Sequence, residues 1–117
     1  MSAAVLANRG ISLGEPKSAS PMSEEQAVAI ASEASGEAAV LESRYAYCQI
    51  VSKNPPVAQD CWAFSLDPSG LASTGGIPAT YFLVVVDASS GDVLSRSWGW
   101  EGSDPSSLPR DPRLGPA

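Results

Sequence analysis

Apolar positions recur along the chain with two different periods. Over residues 23–35, Ala27, Ile30, Ala31 and Ala34 fall at helical spacing and form one narrow apolar stripe. Ser23 before this run suits an N-cap, and Gln26 three residues on can reach back to the cap amide. Glu24 and Glu25 place negative charge at the positive end of the helix dipole, and Gly36 is the natural stop. The stripe is built of small side chains, so this helix should lie close to whatever it covers.

Period two then takes over. Tyr45, Tyr47, Gln49 and Val51 alternate with Ala46, Cys48 and Ile50 until Asn54-Pro55-Pro56 interrupts. Trp62, Phe64 and Leu66 alternate with Cys61, Ala63 and Ser65, and Asp67-Pro68-Ser69-Gly70 reads as the closing turn. Thr80 to Val86 is dense in aromatic and β-branched residues and is the clearest strand. Asp87-Ala88-Ser89-Ser90-Gly91 follows as a hairpin connection, with Gly91 where a positive φ is wanted, and a last strand starts at Asp92 or Val93 and runs toward Trp100. One N-terminal helix packed on a four-stranded antiparallel sheet made of two hairpins is an α+β pattern. The expected division is a flexible N-terminal segment over 1–21, a domain over 22–100 and an extended tail over 101–117, where Pro105, Pro109, Pro112 and Pro116 remove backbone donors.

The only two cysteines are Cys48 and Cys61. Placing them directly opposite each other in the first hairpin also sets Tyr47 against Trp62, Tyr45 against Phe64 and Ala46 against Ala63. Four aromatics then share one face and both sulfurs the other. This register favours a structural disulfide over two buried free thiols or a redox pair. The chain contains no histidine, and two thiols alone hold zinc poorly. A disulfide would imply an oxidising, extracytoplasmic compartment, secreted, periplasmic or in the cell envelope, although no signal peptide is visible near the start.

Composition narrows the partners. The formal net charge is −6 with a pI near 4.4, and the seven basic residues are scattered, so nucleic acid and anionic membrane surfaces are poor candidates. The longest apolar run, Tyr81 to Val86, is too short to span a bilayer, so no membrane insertion is expected. Oligomeric state is left open.

Two stretches carry a family pattern. Residues 81–94, Tyr-Phe-Leu-Val-Val-Val-Asp-Ala-Ser-Ser-Gly-Asp-Val-Leu, and residues 22–31, Met-Ser-Glu-Glu-Gln-Ala-Val-Ala-Ile-Ala, resemble the closing hairpin and the opening helix of PepSY domains. The resemblance covers roughly residues 21–98, most loosely in the middle hairpin. It implies a small extracytoplasmic, propeptide-like domain without catalytic residues, of a family associated with restraining peptidases. In this motif Asp87 and Gly91 are turn residues.

No catalytic constellation stands out. Lys17 and Lys53 belong to no recognisable motif, and Asp60, Asp67, Asp87 and Asp92 all read as turn-capping carboxylates at strand ends. Trp98 and Trp100 point to one face of the last strand. They complete the core under the helix, clamp the C-terminal tail, or form an exposed aromatic patch for a partner. The expectation is a non-catalytic protein-binding module with no cofactor and no metal, its candidate partner a peptidase. The alternatives are a structural or sensory module of a cell-envelope assembly and, last, a thiol redox protein.

Overall fold

The computed structural model describes residues 3–72 and 74–100; the proline-rich segment 101–117 lies outside the described residues. Five strands follow one another as an antiparallel meander: β1 (Ile11–Gly14), β2 (Val40–Ile50), β3 (Val57–Leu66), β4 (Tyr81–Asp87) and β5 (Val93–Gly99), in the spatial order β1-β2-β3-β4-β5. With helices α1 (Ala3–Asn8) and α2 (Glu24–Ala34) this is a small α+β domain. The four-strand, one-helix expectation is corrected at the N-terminus. The segment read as flexible contributes α1 and the edge strand β1, which pairs Ile11 with Ile50 and Leu13 with Cys48. Six and four residues are too few to show a period.

Helix α2 begins as its sequence suggests. The Ser23 hydroxyl accepts from the Gln26 amide at 3.1 Å and the Gln26 side chain accepts from the Ser23 amide at 3.0 Å, a complete capping box. It ends as Gly36 and Glu37 turn to positive φ and the Glu37 amide donates to the Ser32 carbonyl. Its fully buried Ala27 and Ala31 lie on a core of Phe64, Leu66, Phe82, Val84 and Val86, with Trp62 and Trp98 partly buried at the margin. Methyl-sized contacts let the helix axis approach the sheet closely. The Asp87–Asp92 turn sits under the same helix, where a Cβ on Gly91 would come 3.1 Å from Ile30 Cδ1.

The β2–β3 register differs from the expected one by two residues. Cys48 faces Gln59, Cys61 faces Ala46, Tyr45 faces Trp62 and Tyr47 faces Asp60. A two-residue shift leaves every side chain on its expected face. It wins because it pairs Ile50 with Val57, apolar against apolar, where the expected register sets Ile50 against Gln59 and Val57 against Ser52.

The opposite face of the sheet folds onto itself. Strand β4 pairs with β3 only over Cys61–Ser65, so Val57–Asp60, the outer half of β2 and β1 form an arm beyond it. Extending the Ser65–Leu83 pairing places Tyr81 level with Asp67, ten residues from Val57 at the arm's tip. On a flat sheet those points would be roughly 30 Å apart, farther than two side chains reach. Yet Arg9, whose carbonyl accepts from Ser52 at the tip, donates from Nε to the Tyr81 hydroxyl at 2.6 Å. The arm therefore curls back over β4 and β5. Ile11 and Ile50 from the arm, Val5 and Leu6 from α1, and Tyr81, Leu83 and Val85 from β4 form one buried cluster inside the curl. At the bend the inward side chains are Ala46, Cys48, Cys61 and Ala63, small enough for the layers to close.

Three substitutions test these contacts by urea denaturation. Ala31→Leu should cost about 1–3 kcal/mol by overfilling the helix–sheet contact, whereas Ala29→Leu on the exposed side of α2 should leave the midpoint nearly unchanged. Gly99→Ala should also lower the midpoint, because its Cβ would stand 2.6 Å from the Tyr81 hydroxyl and 2.8 Å from Arg9 Nη2.

Candidate functional site

Three places carry side chains that could do chemistry or binding. The first is the outer strand β5. Trp98 lies edge-on to Phe82 with ring centroids 5.8 Å apart, and its Nε1 donates to the Ala72 carbonyl at 3.2 Å. The Arg96 guanidinium lies over the same indole at 5.1 Å. Trp98 is thus half core and half surface, and Trp100, just past the strand, is also half-buried. The tail-clamping alternative concerns residues outside the described ones.

The second is a polar cleft of about 330 Å³ lined by Ser18, Tyr45, Gln59, Asp60, Asp87 and Ser89. One wall is the strap formed by residues 15–22. Asp60, read from sequence as a turn cap, lies inside β3 and instead docks this strap. Its carboxylate accepts from the Lys17 amide at 2.9 Å and from the Ser18 amide and hydroxyl at 3.0 and 3.1 Å. The Tyr45 hydroxyl donates to the Ser18 carbonyl at 2.8 Å, and Trp62 Nε1 donates to the Ser20 hydroxyl at 2.9 Å. Asp87 does cap its turn, accepting from the Ser89 amide at 2.8 Å and more weakly from that of Ser90, while the Gly91 amide donates to the Asp87 carbonyl. Asp67 caps the β3 exit through Ser69.

These bonds set the charge of the cleft. The Lys17 amide, with the Ser18 donors, holds the Asp60 carboxyl below the usual aspartate range against a smaller effect of burial. Burial opposes ionisation of Asp87, but donors from Ser89, Gln59 and Ser90 together outweigh it and keep this carboxyl low as well. Burial and the Asp60 charge raise Tyr45, which keeps its proton and donates it to the strap. The cleft thus holds a pair of low carboxyls already committed to main-chain donors, with the Ser18 hydroxyl also donating to Asp60. Among the described residues no group of three His, Cys, Asp or Glu side chains is placed to hold a metal ion, and no helix is long and apolar enough to cross a membrane.

The third place is the cysteine pair. Cys48 and Cys61 are free thiols, both buried, on one face of the sheet and diagonal to each other across β2 and β3. They come to 4.1 Å without a bond between them. The direct opposition expected of the two cysteines is corrected: the register that pairs Ile50 with Val57 sets them diagonally, as neighbouring free thiols with no disulfide formed between them.

Sequence reasoning left Arg9 in a scattered set of basic residues. In the structure it joins the arm to β4 and β5, with Nη2 reaching both the Tyr81 hydroxyl and the Trp98 carbonyl. Its only local signal is a position next to the turn residue Gly10.

Comparison with known proteins finds no matching family model, no matching curated protein and no matching solved structure.

The cleft predicts an acid response. Carboxyls whose folded values lie below the unfolded value of about 3.9 stabilise the fold above that pH, and this contribution is lost as pH falls through the folded values. The urea midpoint should therefore drop between pH 5 and pH 2. Asp60→Asn should start lower at neutral pH and fall less steeply; an unchanged pH profile would show that the strap contributes nothing.

Proposed function

We propose that the protein is a non-catalytic binding module that receives an extended segment of a partner protein along the edge of β5 that no strand pairs among the described residues. The observation that carries this reading is the contrast between the two sheet edges. Strand β1 is four residues long and runs directly into Glu15 and Pro16, features that blunt an edge against pairing. Strand β5 has seven residues, Val-Leu-Ser-Arg-Ser-Trp-Gly, with no proline. Its one charge, Arg96, lies over Trp98 and Phe82. An edge of that length offers a row of main-chain donors and acceptors for strand addition, and the half-exposed Trp98 beside it supplies an anchor.

The likeness of residues 22–31 and 81–94 to PepSY domains makes a peptidase the first partner class to try. An inhibitory role would follow if the added strand came from a segment the peptidase needs for activity.

The test is selection of random peptides displayed on phage against the folded domain, followed by hydrogen exchange on the complex. A selected peptide should slow exchange at the amides of 93–99. Adjacent strand residues direct their amides to opposite sides, so one of Ser95→Pro and Arg96→Pro removes an outward donor without breaking the pairing to β4. That variant should fold and lose the peptide. Failure to select any peptide, or protection confined to the cleft or α2, would sink the proposal.

A further inference from the structure

We infer that Cys48 and Cys61 are a reversible dithiol–disulfide pair whose closed form locks the curl of the β2–β3 arm. The inference is independent of any partner at β5.

Position carries the argument. Cys61 is paired with Asp87 at the last row where β3 touches β4, and Cys48 lies one row farther out on the arm. A bond between the sulfurs would join the fixed part of the sheet to the part that bends. Across the ladder Ala46 faces Cys61 and Gln59 faces Cys48, Ala63 lies one row inward, and the two cysteines already come within 4.1 Å of each other. Both residues are 0% exposed inside the cluster made by Val5, Leu6, Ile11 and Ile50. An oxidant therefore reaches them only before the arm closes or when α1 and β1 lift. The six-residue α1 is held by Val5 and Leu6 in the inner cluster and by the Arg9–Tyr81 bond next to it, so weakening that bond should ease lifting.

The chemistry is thiol–disulfide exchange with a low-molecular-weight disulfide such as oxidised glutathione. The Cys61 and Cys48 thiols donate to the Gln59 and Ala46 carbonyls; their mutual contact holds Cys48 below an ordinary thiol and, together with burial, raises Cys61. Cys48 is the first to ionise and attacks one sulfur of the oxidant; that S–S bond breaks and one glutathione thiolate leaves. Cys61 then passes its proton to the departed thiolate and attacks the Cys48 sulfur, expelling the second glutathione. The two cysteines together lose two electrons, and oxidised glutathione becomes two molecules of the thiol. Excess reduced thiol runs the sequence backward.

The experiment refolds the reduced chain in a glutathione redox buffer and, separately, incubates the folded reduced chain with oxidised glutathione. Intact mass, alkylation after unfolding and hydrogen exchange are then measured. The expected product of refolding is a protein lighter by two hydrogens, carrying no adduct and no alkylatable cysteine, with an unchanged circular dichroism spectrum. Its urea midpoint should be higher than that of the reduced chain or of the Cys48→Ser, Cys61→Ser double variant. Amides of 11–14 and 48–50 should exchange more slowly. On the folded chain the same product should form slowly, and Arg9→Ala should speed it several-fold. Two cysteines still alkylatable after refolding, a persistent glutathione adduct, or an internal bond formed only with loss of the sheet spectrum would overturn the pair. A bond that left exchange in the arm unchanged would overturn the lock.

Discussion

Arg9 ties together two parts of the molecule that a flat sheet would hold far apart. Its guanidinium meets the Tyr81 hydroxyl and the Trp98 carbonyl while its own carbonyl is bonded at the tip of the β2–β3 arm. The guanidinium bonds are charge-assisted and span 72 and 89 residues of sequence. Without that tie the inner face of β4, with Leu83 and Val85, would lack the lid that α1 and β1 supply. The curl makes the inner core, and the inner core requires small residues at the bend. Alanine and cysteine there follow from the same geometry that makes glycine the residue at position 99, where the Tyr81 hydroxyl and the guanidinium leave no room for a methyl group.

The sheet thus has two apolar faces served in different ways. The outer face is covered by a capped amphipathic helix with small contact residues. The inner face is covered by the chain's own arm and a helix too short to stand alone. An antiparallel sheet buried on both sides shows as a loss of alternation, and β4 is buried at every position from Tyr81 to Val86. The neighbouring β5, which among the described residues pairs on one edge only, keeps a mixed pattern of burial.

What was legible in the sequence was local. Ser23 with Gln26, the Ala27–Ala31 stripe, Gly36, and the Asp87–Gly91 turn each act within a few residues, so their chemistry is visible without a fold. Alternation along β2 and β3 assigns faces correctly, but parity is indifferent to a shift of two. It therefore could not choose between Cys48 facing Cys61 and Cys48 facing Gln59. Strand β1 and helix α1 are too short to carry a period and owe their form to the surfaces they cover. Of the residues that shape the candidate sites, Trp98 and the cysteines were visible by type. Arg9 and the docking role of Asp60 were not, because their partners lie 72 and more than 40 residues away.

The strap over the cleft has a consequence for how the sequence can drift. Asp60 recognises it through the main-chain amides of Lys17 and Ser18, aided by one hydroxyl. Any residue except proline supplies an amide, so positions 17 and 18 can vary widely while the contact persists. The single carboxylate that receives them has no such freedom. In a set of diverged relatives the strap should therefore look random and its anchor nearly constant, a contrast that would mark the interaction even where no residue of the strap is shared.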